Sequence, residues 1–168
     1  MRKFLFWLTS KLPCRIISED ERPYLERYYL ANFGGLVFYI HRFVGSDPDR
    51  GLHDHPWPWA VSFILAGRYL EHNRSGVKPV NWFNFLLADS FHRVVLADNE
   101  NVYTLFIHRD KKAKTWGFWR TETEDAEGDY SAYWTKYVYK NEETRSFNRW
   151  WLTAPKGANV SERYRTPA

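Results

Sequence analysis

Three histidines in this chain have the residue type and the spacing of metal ligands. His53 and His55 flank Asp54, and His92 begins a later segment that has the pattern of a strand. Residues two apart in an extended strand point to the same face, so the rings of His53 and His55 are expected to face the same way. Neutral imidazole nitrogens bind Zn, Fe, Ni or Cu, and three protein ligands leave positions open for water, substrate or dioxygen. The spacing therefore predicts a three-histidine centre for one divalent metal ion.

Other polar and aromatic residues accompany these histidines in the predicted strands. Tyr69 and Glu71 share one strand face, and the strand period does not decide whether that face points at the metal or outward. If it points at the metal, both are candidate catalytic residues, Glu71 as a late-supplied ligand or general base and Tyr69 as a proton donor or a hydrogen-bond partner of the substrate. Trp57 alternates in phase with the two nearby histidines and is expected to form an aromatic wall of the substrate site. Arg68 and Arg93 are expected to bind an anionic substrate if they face inward, and are solvated if they face outward.

The elements that must position these residues are short strands. After Gly34 and Gly35 the apolar pattern takes a period of two, which is typical of a β-strand. No helical period and no internal repeat follow, so the sequence predicts one all-β sandwich or closed barrel. The predicted strands are rich in aromatic and β-branched residues and are separated by turn residues: 36–44, 53–59, 61–66, 68–72, 81–87, 92–97, 102–109 and 115–120.

The segments on either side of these strands differ in composition. Residues 1–32 are expected to be helical or irregular, with the apolar positions of 24–30 on one helical face. Residues 121–129 are acidic and contain glycine, which indicates a solvated loop. The predicted organisation is an N-terminal helical segment over 1–32, a β-barrel over 33–120, and an aromatic C-terminal extension over 121–168. We expect this extension to pack on the barrel or on a partner subunit.

Length and charge narrow the functional classes. A chain of 168 residues fits a single domain with its own core. The formal net charge of +4 would suit an anionic partner, but the basic residues are scattered along the chain and form no stripe. The composition therefore disfavours nucleic acid as the partner.

The N-terminal run and the cysteine count bear on location. The apolar run Phe4–Leu8 is short, is followed by no small-residue cleavage pattern, and falls well below the roughly 20 residues of a membrane span. The single cysteine, Cys14, cannot form an internal disulfide, which favours a reducing compartment. We therefore expect a cytoplasmic protein without a membrane span.

Two sequence motifs resemble those of the cupin superfamily. Residues 51–55, Gly-Leu-His-Asp-His, followed by a strand that ends at Gly67, are similar to the first cupin motif, and 89–94 are similar to the second. The likeness covers about residues 33–120 and implies a cupin jelly-roll barrel. His53–Trp57, with the sequence His-Asp-His-Pro-Trp, also resembles an uncharacterised bacterial and phage cupin group. Trp59 and Ala60 stand where the usual first motif has a glutamate, which by analogy leaves a three-histidine centre like that of thiol dioxygenases.

These features lead to an expected function and to two alternatives. Three neutral imidazoles leave the full dipositive charge on the ion, which favours an anionic ligand. We expect a non-haem, metal-dependent, oxygenase-like enzyme for a small anionic molecule, with Fe ahead of Zn, Ni, Mn and Cu. The alternatives are a non-catalytic barrel that binds a sugar or nucleotide, and a metal-free sugar epimerase. A homodimer is expected from the aromatic tail and from the tendency of cupins to pair.

Overall fold

β-Strands make up 54% of the described chain, and helices make up 10%. The computed structural model describes residues 1–97, 100–110, 113–121, 132–136 and 149–164. Its elements, in chain order, are α1 (Arg2–Thr9), β1 (Cys14–Glu19), β2 (Arg22–Phe33), β3 (Leu36–Phe43), β4 (Leu52–His53), β5 (Trp59–Ala66), β6 (Tyr69–Asn73), β7 (Gly76–Val80), β8 (Phe83–Leu87), β9 (His92–Leu96), β10 (Val102–Arg109), β11 (Gly117–Thr121) and β12 (Ala132–Lys136), followed by short 3-10 helices at Trp150–Leu152 and Gly157–Asn159.

The strands pair into two six-stranded antiparallel sheets. Sheet A has the order β1-β2-β3-β10-β5-β8, and sheet B has the order β12-β11-β4-β9-β6-β7. Strands from distant parts of the chain are neighbours in each sheet, as in a jelly roll, so the predicted all-β fold is confirmed. The described hydrogen-bond ladders remain two separate sheets and do not close into one continuous barrel.

Alternating burial along the strands aims one face of each sheet at the interior. In β9, His92, Val94 and Leu96 are buried, while the residues between them are only partly covered. In β8, Asn84 and Leu86 are buried between exposed apolar neighbours. This period of two places His92, the first residue of β9, inside the fold.

The expectation that residues 1–32 are helical or irregular is wrong for most of that segment. The helix ends at Thr9, and the apolar stretch 24–30 lies in the long strand β2. Asp20 and Glu21 both have positive φ, at 46° and 63°, and form the two-residue turn between β1 and β2. Neither turn residue is glycine or asparagine, so the usual hairpin signal is missing. Apolar residues on both faces of β2 also hide its period of two.

Two further differences concern the strand bounds. The predicted strand over 53–59 is a strand only at its two ends, His53 in β4 and Trp59 in β5, because Pro56 and Pro58 have no backbone N–H to offer a sheet ladder. Strand β7 (Gly76–Val80) was not expected.

The acidic segment 121–129 lies outside the described residues except for Thr121. No helix in the described ranges is long and apolar enough to cross a bilayer.

A buried ion pair ties the C-terminal segment to sheet A. Arg42 Nη1 lies 3.2 Å from Glu26 Oε2, and both side chains are fully buried. Glu26 Oε1 accepts a hydrogen bond from the backbone N–H of Tyr164 at 2.6 Å, and Arg42 donates to the Tyr164 carbonyl at 2.7 Å. The Trp151 ring stacks on Tyr29 with centroids 4.4 Å apart. The described part of the C-terminal extension therefore packs on the sheets.

We predict that Glu26→Gln destabilises the fold by about 3–5 kcal/mol, because it leaves the buried Arg42 charge without its carboxylate. Urea unfolding measures this change. Glu100→Gln is the matched control, since its ion pair with Arg2 is exposed and its removal should cost less than about 1 kcal/mol. Equal effects of the two substitutions would contradict the prediction.

Candidate metal centre

The fold brings the three predicted ligands together. His53 in β4 pairs directly with His92 in β9, so their side chains are cross-strand neighbours on the same face of sheet B. The ring centroids of His53 and His55 are 5.2 Å apart, and that of His92 is 4.7 Å from the first and 5.1 Å from the second. One nitrogen from each ring lies within 4.8 Å of the other two. In the part of the chain that the structure describes, no other group of three histidines, cysteines or acids meets this condition.

The position of His55 has a different cause from the predicted one. It lies in the loop after β4, so the two-residue period of a strand does not place it beside His53. The intervening Asp54 is fully buried and acts as an anchor: its Oδ1 accepts the Gly117 N–H at 2.7 Å, and its Oδ2 lies 2.8 Å from Lys114 Nζ. The Asp54 N–H donates to the Gly117 carbonyl at 3.1 Å. These bonds hold the loop against β11 and turn the flanking imidazoles toward each other.

The donor atoms suit a divalent transition metal. The Nε2 atoms of His55 and His92 are 2.9 Å apart. Two nitrogens that each lie about 2.0–2.1 Å from one ion at a right angle are separated by about 2.9 Å. Burial lowers the pKa of His53 and of His55 well below the usual range. Both imidazoles are therefore neutral at pH 7, which is the form that binds a metal.

Carboxylates stand behind two of the three imidazoles. Glu71 Oε2 lies 3.3 Å from Nδ1 of His92, and Asp47 Oδ2 lies 3.9 Å from Nδ1 of His53. Histidines that bind metals commonly direct their second nitrogen at a carboxylate, which fixes the tautomer and the ring orientation. Both contacts are electrostatic, since 3.9 Å exceeds a hydrogen bond and Nδ1 of His92 has no hydrogen-bond partner among the described residues. The two carboxylates therefore favour the metal interpretation.

Glu71 has little capacity left for a role as a fourth ligand. Its Oε1 contacts Lys78 Nζ at 3.0 Å and Asn73 Nδ2 at 3.2 Å, and its Oε2 contacts Asn84 Nδ2 and His92. A carboxylate has about four lone-pair positions, and Lys78, Asn73 and Asn84 use three of them, while His92 lies at ion-pair distance without a hydrogen bond. Burial alone would raise the pKa of Glu71, but the contacts with His92, Lys78 and Asn73 outweigh it and lower the pKa to about 2.

The imidazoles face a cavity of about 410 Å³ between the two sheets. Trp57 is buried in its wall and stacks on His55, with centroids 5.4 Å apart and an angle of 20° between the rings. Tyr69 also lines this cavity, whereas Glu71 does not. Burial raises the pKa of Tyr69, so its hydroxyl stays protonated and able to donate a hydrogen bond. Of the two candidate catalytic residues, only Tyr69 is thus in a position to contact a ligand.

The two arginines singled out in the sequence are not among the cavity-lining residues. Arg68 is exposed at the β5–β6 turn. Arg93 forms an ion pair with Asp49, on the opposite face of β9 from its neighbour His92. That outward position follows from the strand period once His92 is assigned to the interior.

Three other arginines line the cavity: Arg15, Arg27 and Arg50. Arg50 pairs with Glu19 and donates to the Tyr24 hydroxyl at 3.1 Å. The first two lie in β1 and β2, within the segment 1–32 that is expected from the sequence to be helical or irregular. Arg15 and Arg27 share a face because β1 and β2 form a hairpin. Sequence reasoning missed this shared face because it did not identify the hairpin.

We predict that Glu71→Gln weakens metal binding by about 10–100-fold, because it removes the carboxylate that orients His92. Titration of the metal-free protein with Co²⁺ measures the affinity, and the visible bands of bound Co²⁺ report the ligand set. Asp49→Asn is the control, since this exposed carboxylate contacts Arg93 on the outer face. Unchanged Co²⁺ affinity in Glu71→Gln would contradict the assignment. A changed band pattern would indicate a directly coordinating Glu71.

Comparison with known proteins places this geometry in a familiar architecture. No family model matches the sequence, and no curated protein matches it. Solved structures do match. A cupin 2 conserved barrel domain protein from Rhodopseudomonas palustris aligns with a TM-score of 0.52 and 11% identity, over 70% of this chain and 80% of that protein. A cupin-2 domain from Rhodospirillum rubrum aligns with a TM-score of 0.50 and 17% identity, over 61% and 72%.

A predicted oxalate decarboxylase from Thermotoga maritima aligns with a TM-score of 0.50 and 17% identity, over 60% of this chain and 95% of that protein. Identities this low carry the fold and not the activity. The jelly-roll topology and these structural neighbours agree with the resemblance of the two sequence motifs. This chain has the cupin fold.

Proposed function

We propose that this protein is a metal-dependent enzyme that acts on a small anionic molecule, with His53, His55 and His92 as the metal ligands. The observation that carries the proposal is the convergence of three imidazoles, two of them backed by carboxylates, at the wall of a cavity. Iron and an oxygenase-like reaction are the favoured chemistry within this class. Bound iron would supply redox chemistry and open coordination positions for dioxygen and substrate.

The charge distribution supports an anionic substrate. The three proposed ligands are imidazoles, and the pKa shifts keep His53 and His55 neutral. The ligand group contains no carboxylate: Glu71 does not line the cavity, and Asp47, which does line it, lies 3.9 Å from His53 Nδ1 outside the group. A divalent ion held in this way keeps most of its charge for an exogenous ligand, which favours a carboxylate or thiolate.

Residues of the cavity wall would position that substrate. The Trp57 ring, buried beside His55, offers an apolar surface that excludes water from one side. The Tyr69 hydroxyl offers a hydrogen bond to a substrate oxygen and can hold a proton there. In this proposal Tyr69 is the residue that contacts substrate, and Glu71 positions His92.

We predict that His53→Ala, His55→Ala and His92→Ala each lose stoichiometric metal, because two imidazoles retain an ion far more weakly than three. Elemental analysis of protein purified without added metal measures the content. His72→Ala is the matched control, since His72 lies outside the cluster and contacts Arg93. Wild-type protein without any metal would contradict the proposal and would fit the binding-barrel or epimerase alternatives.

An oxygen-uptake screen on small thiols and carboxylates tests the reaction in the same preparations. We expect uptake with at least one anionic compound in the wild type and in His72→Ala, and none in the three ligand variants. A metal-loaded protein without uptake would leave the metal centre intact and exclude the oxygenase reaction.

We also propose that the protein is a homodimer formed through the outer surface of strand β8, the edge strand of sheet A. Phe83, Phe85 and Leu87 are exposed on β8, next to exposed Trp82 and to Phe63 of β5. β8 carries no charge, although edge strands of monomers usually carry charges that block pairing. Covering these side chains would bury several hundred Å² per subunit, near the roughly 800 Å² of a standard interface.

We predict that the double substitution Phe83→Glu and Phe85→Glu converts the dimer to a monomer, because it places two charges on this surface. Light scattering after size exclusion measures the mass. Val77→Glu is the control, since Val77 is equally exposed on β7, the edge strand of sheet B. A monomeric wild type, or a double variant that stays dimeric, would exclude this interface.

We propose a cytoplasmic location as well. Cys14, the one cysteine of the chain, is buried and forms no disulfide. Burial, with a smaller contribution from Glu26, raises the pKa of its thiol to about 12, so the thiol stays protonated and unreactive. A single buried thiol needs no oxidising compartment, which supports this location.

A further inference from the structure

Helix α1 presents two aromatic rings to solvent. Phe4 and Trp7 are 56% and 58% exposed, and their ring centroids are 6.0 Å apart. Residues three apart in a helix are neighbours on one face, so the two rings form a single apolar patch. The apolar face of a surface helix normally turns toward the core, and Leu5 of the same helix is buried there. The outward rings therefore indicate a contact outside the chain's own core.

The opposite face of α1 is fixed on sheet A. Leu5 packs in one buried cluster with Tyr28 of β2. Thr9 is fully buried, and its hydroxyl donates to the Leu5 carbonyl at 2.7 Å. Arg163 donates to the Phe6 carbonyl at 2.7 Å and to the Thr9 hydroxyl at 2.8 Å. Rotation of the helix to bury its outer rings would break these contacts, so the outward face is preformed.

Two lysines flank the aromatic patch. Lys3 precedes Trp7 by four residues and Lys11 follows it by four, which is the spacing of neighbours on a helix face. Ser10 keeps helical backbone angles, and the Lys11 N–H donates to the Leu8 carbonyl at 3.0 Å, so the turn continues as far as Lys11. Both lysines are exposed, and neither forms an ion pair within the described part of the chain. The face thus has an aromatic centre between two positive charges.

The acids near this face are fewer than the bases. Residues 1–18 contain no acid. On the described segments that contact α1, Glu100 forms an ion pair with Arg2 at 2.9 Å, and Glu162 is exposed. Lys156, whose backbone pairs with the segment after α1, is exposed as well. Once Arg2 and Glu100 offset each other, the lysines outnumber the acid that remains on these segments, so the face suits an anionic partner.

We propose that α1 docks the protein on an anionic membrane surface. Phe4 and Trp7 enter the headgroup region, and Lys3 and Lys11 contact the acidic headgroups. Trp is enriched at membrane–water interfaces, and a lysine stem packs on apolar surface while its ammonium group stays in water. A protein partner fits less well, because the cores of protein interfaces are depleted of lysine. An aromatic anchor combined with basic residues gives reversible binding to anionic lipid.

The first experiment measures co-sedimentation of the full chain with vesicles. It compares phosphatidylcholine vesicles with vesicles that also contain phosphatidylserine, at about 0.1 M salt, where charges still act over about 10 Å. We expect at least about tenfold tighter binding to the mixed vesicles, because each lysine near an anionic surface contributes about fivefold. Salt at about 1 M should remove the difference. No binding to the mixed vesicles, or equal binding to both kinds at low salt, would overturn the proposal.

Matched variants locate the contact on α1. Lys11→Glu should bind the mixed vesicles at least about fivefold more weakly, whereas Lys136→Glu, on exposed β12, should bind as the wild type does. Trp7→Ser should bind at least about tenfold more weakly, because it removes apolar surface, and Phe33→Ser, at the exposed end of β2, should not. Equal losses in Lys11→Glu and Lys136→Glu would mean attraction by net charge alone. That result, or unchanged binding by Trp7→Ser, would reject the role of α1.

Light scattering tests a second copy of the chain as the partner of the same face. We expect Trp7→Ser to keep the mass and the thermal unfolding of the wild type, because the ring is exposed. A lower mass would mean that another copy covers the rings and would overturn the membrane assignment. Phe4→Ser tests the same patch, so misfolding of one variant leaves the other decisive. No residue of α1 lines the metal cavity, so the metal content of these variants tests the proposed function separately.

Discussion

The contact on which the rest of the site depends is the approach of the His55 and His92 Nε2 atoms to 2.9 Å inside the fold. Two buried imidazole nitrogens at this distance need a shared proton or a shared cation between them, because their lone pairs otherwise repel. Three neighbouring carboxylates contact the loop or the rings of the candidate centre. Asp54 anchors the loop on one side, and Glu71 and Asp47 lie behind the neighbouring rings.

The Glu71 carboxylate links the candidate centre to both sheets. It belongs to β6 of sheet B, and its Oε2 both contacts His92 of the same sheet and accepts a hydrogen bond from Asn84 of β8 in sheet A. A change in the spacing of the two sheets would therefore shift Glu71, and through it the proposed ligand His92. The Glu71 carboxylate also contacts a proposed ligand instead of belonging to the ligand group itself. That position orients an imidazole without cancelling the charge of an ion that the imidazole binds.

The cavity between the sheets has two chemically different walls. The sheet B wall carries His53 and His92, and the sheet A wall carries Arg15 and Arg27. In the proposed function the sheet B wall supplies the reactive centre, with Trp57 and Tyr69 beside it to contact the substrate.

Local sequence by itself determined the residue types of the centre, the period of most strands, and the two motifs that resemble cupins. The strand period also places Arg93 outward once His92 faces inward, because neighbouring residues in a strand face opposite sides. The tertiary structure alone decided that His55 is held by Asp54 in a loop and that Glu71 stands behind His92. It alone decided that Arg15 meets Arg27 across a hairpin. The physical reason is that periodicity is a local property, whereas register between strands and the direction of a loop side chain depend on partners far away in the chain.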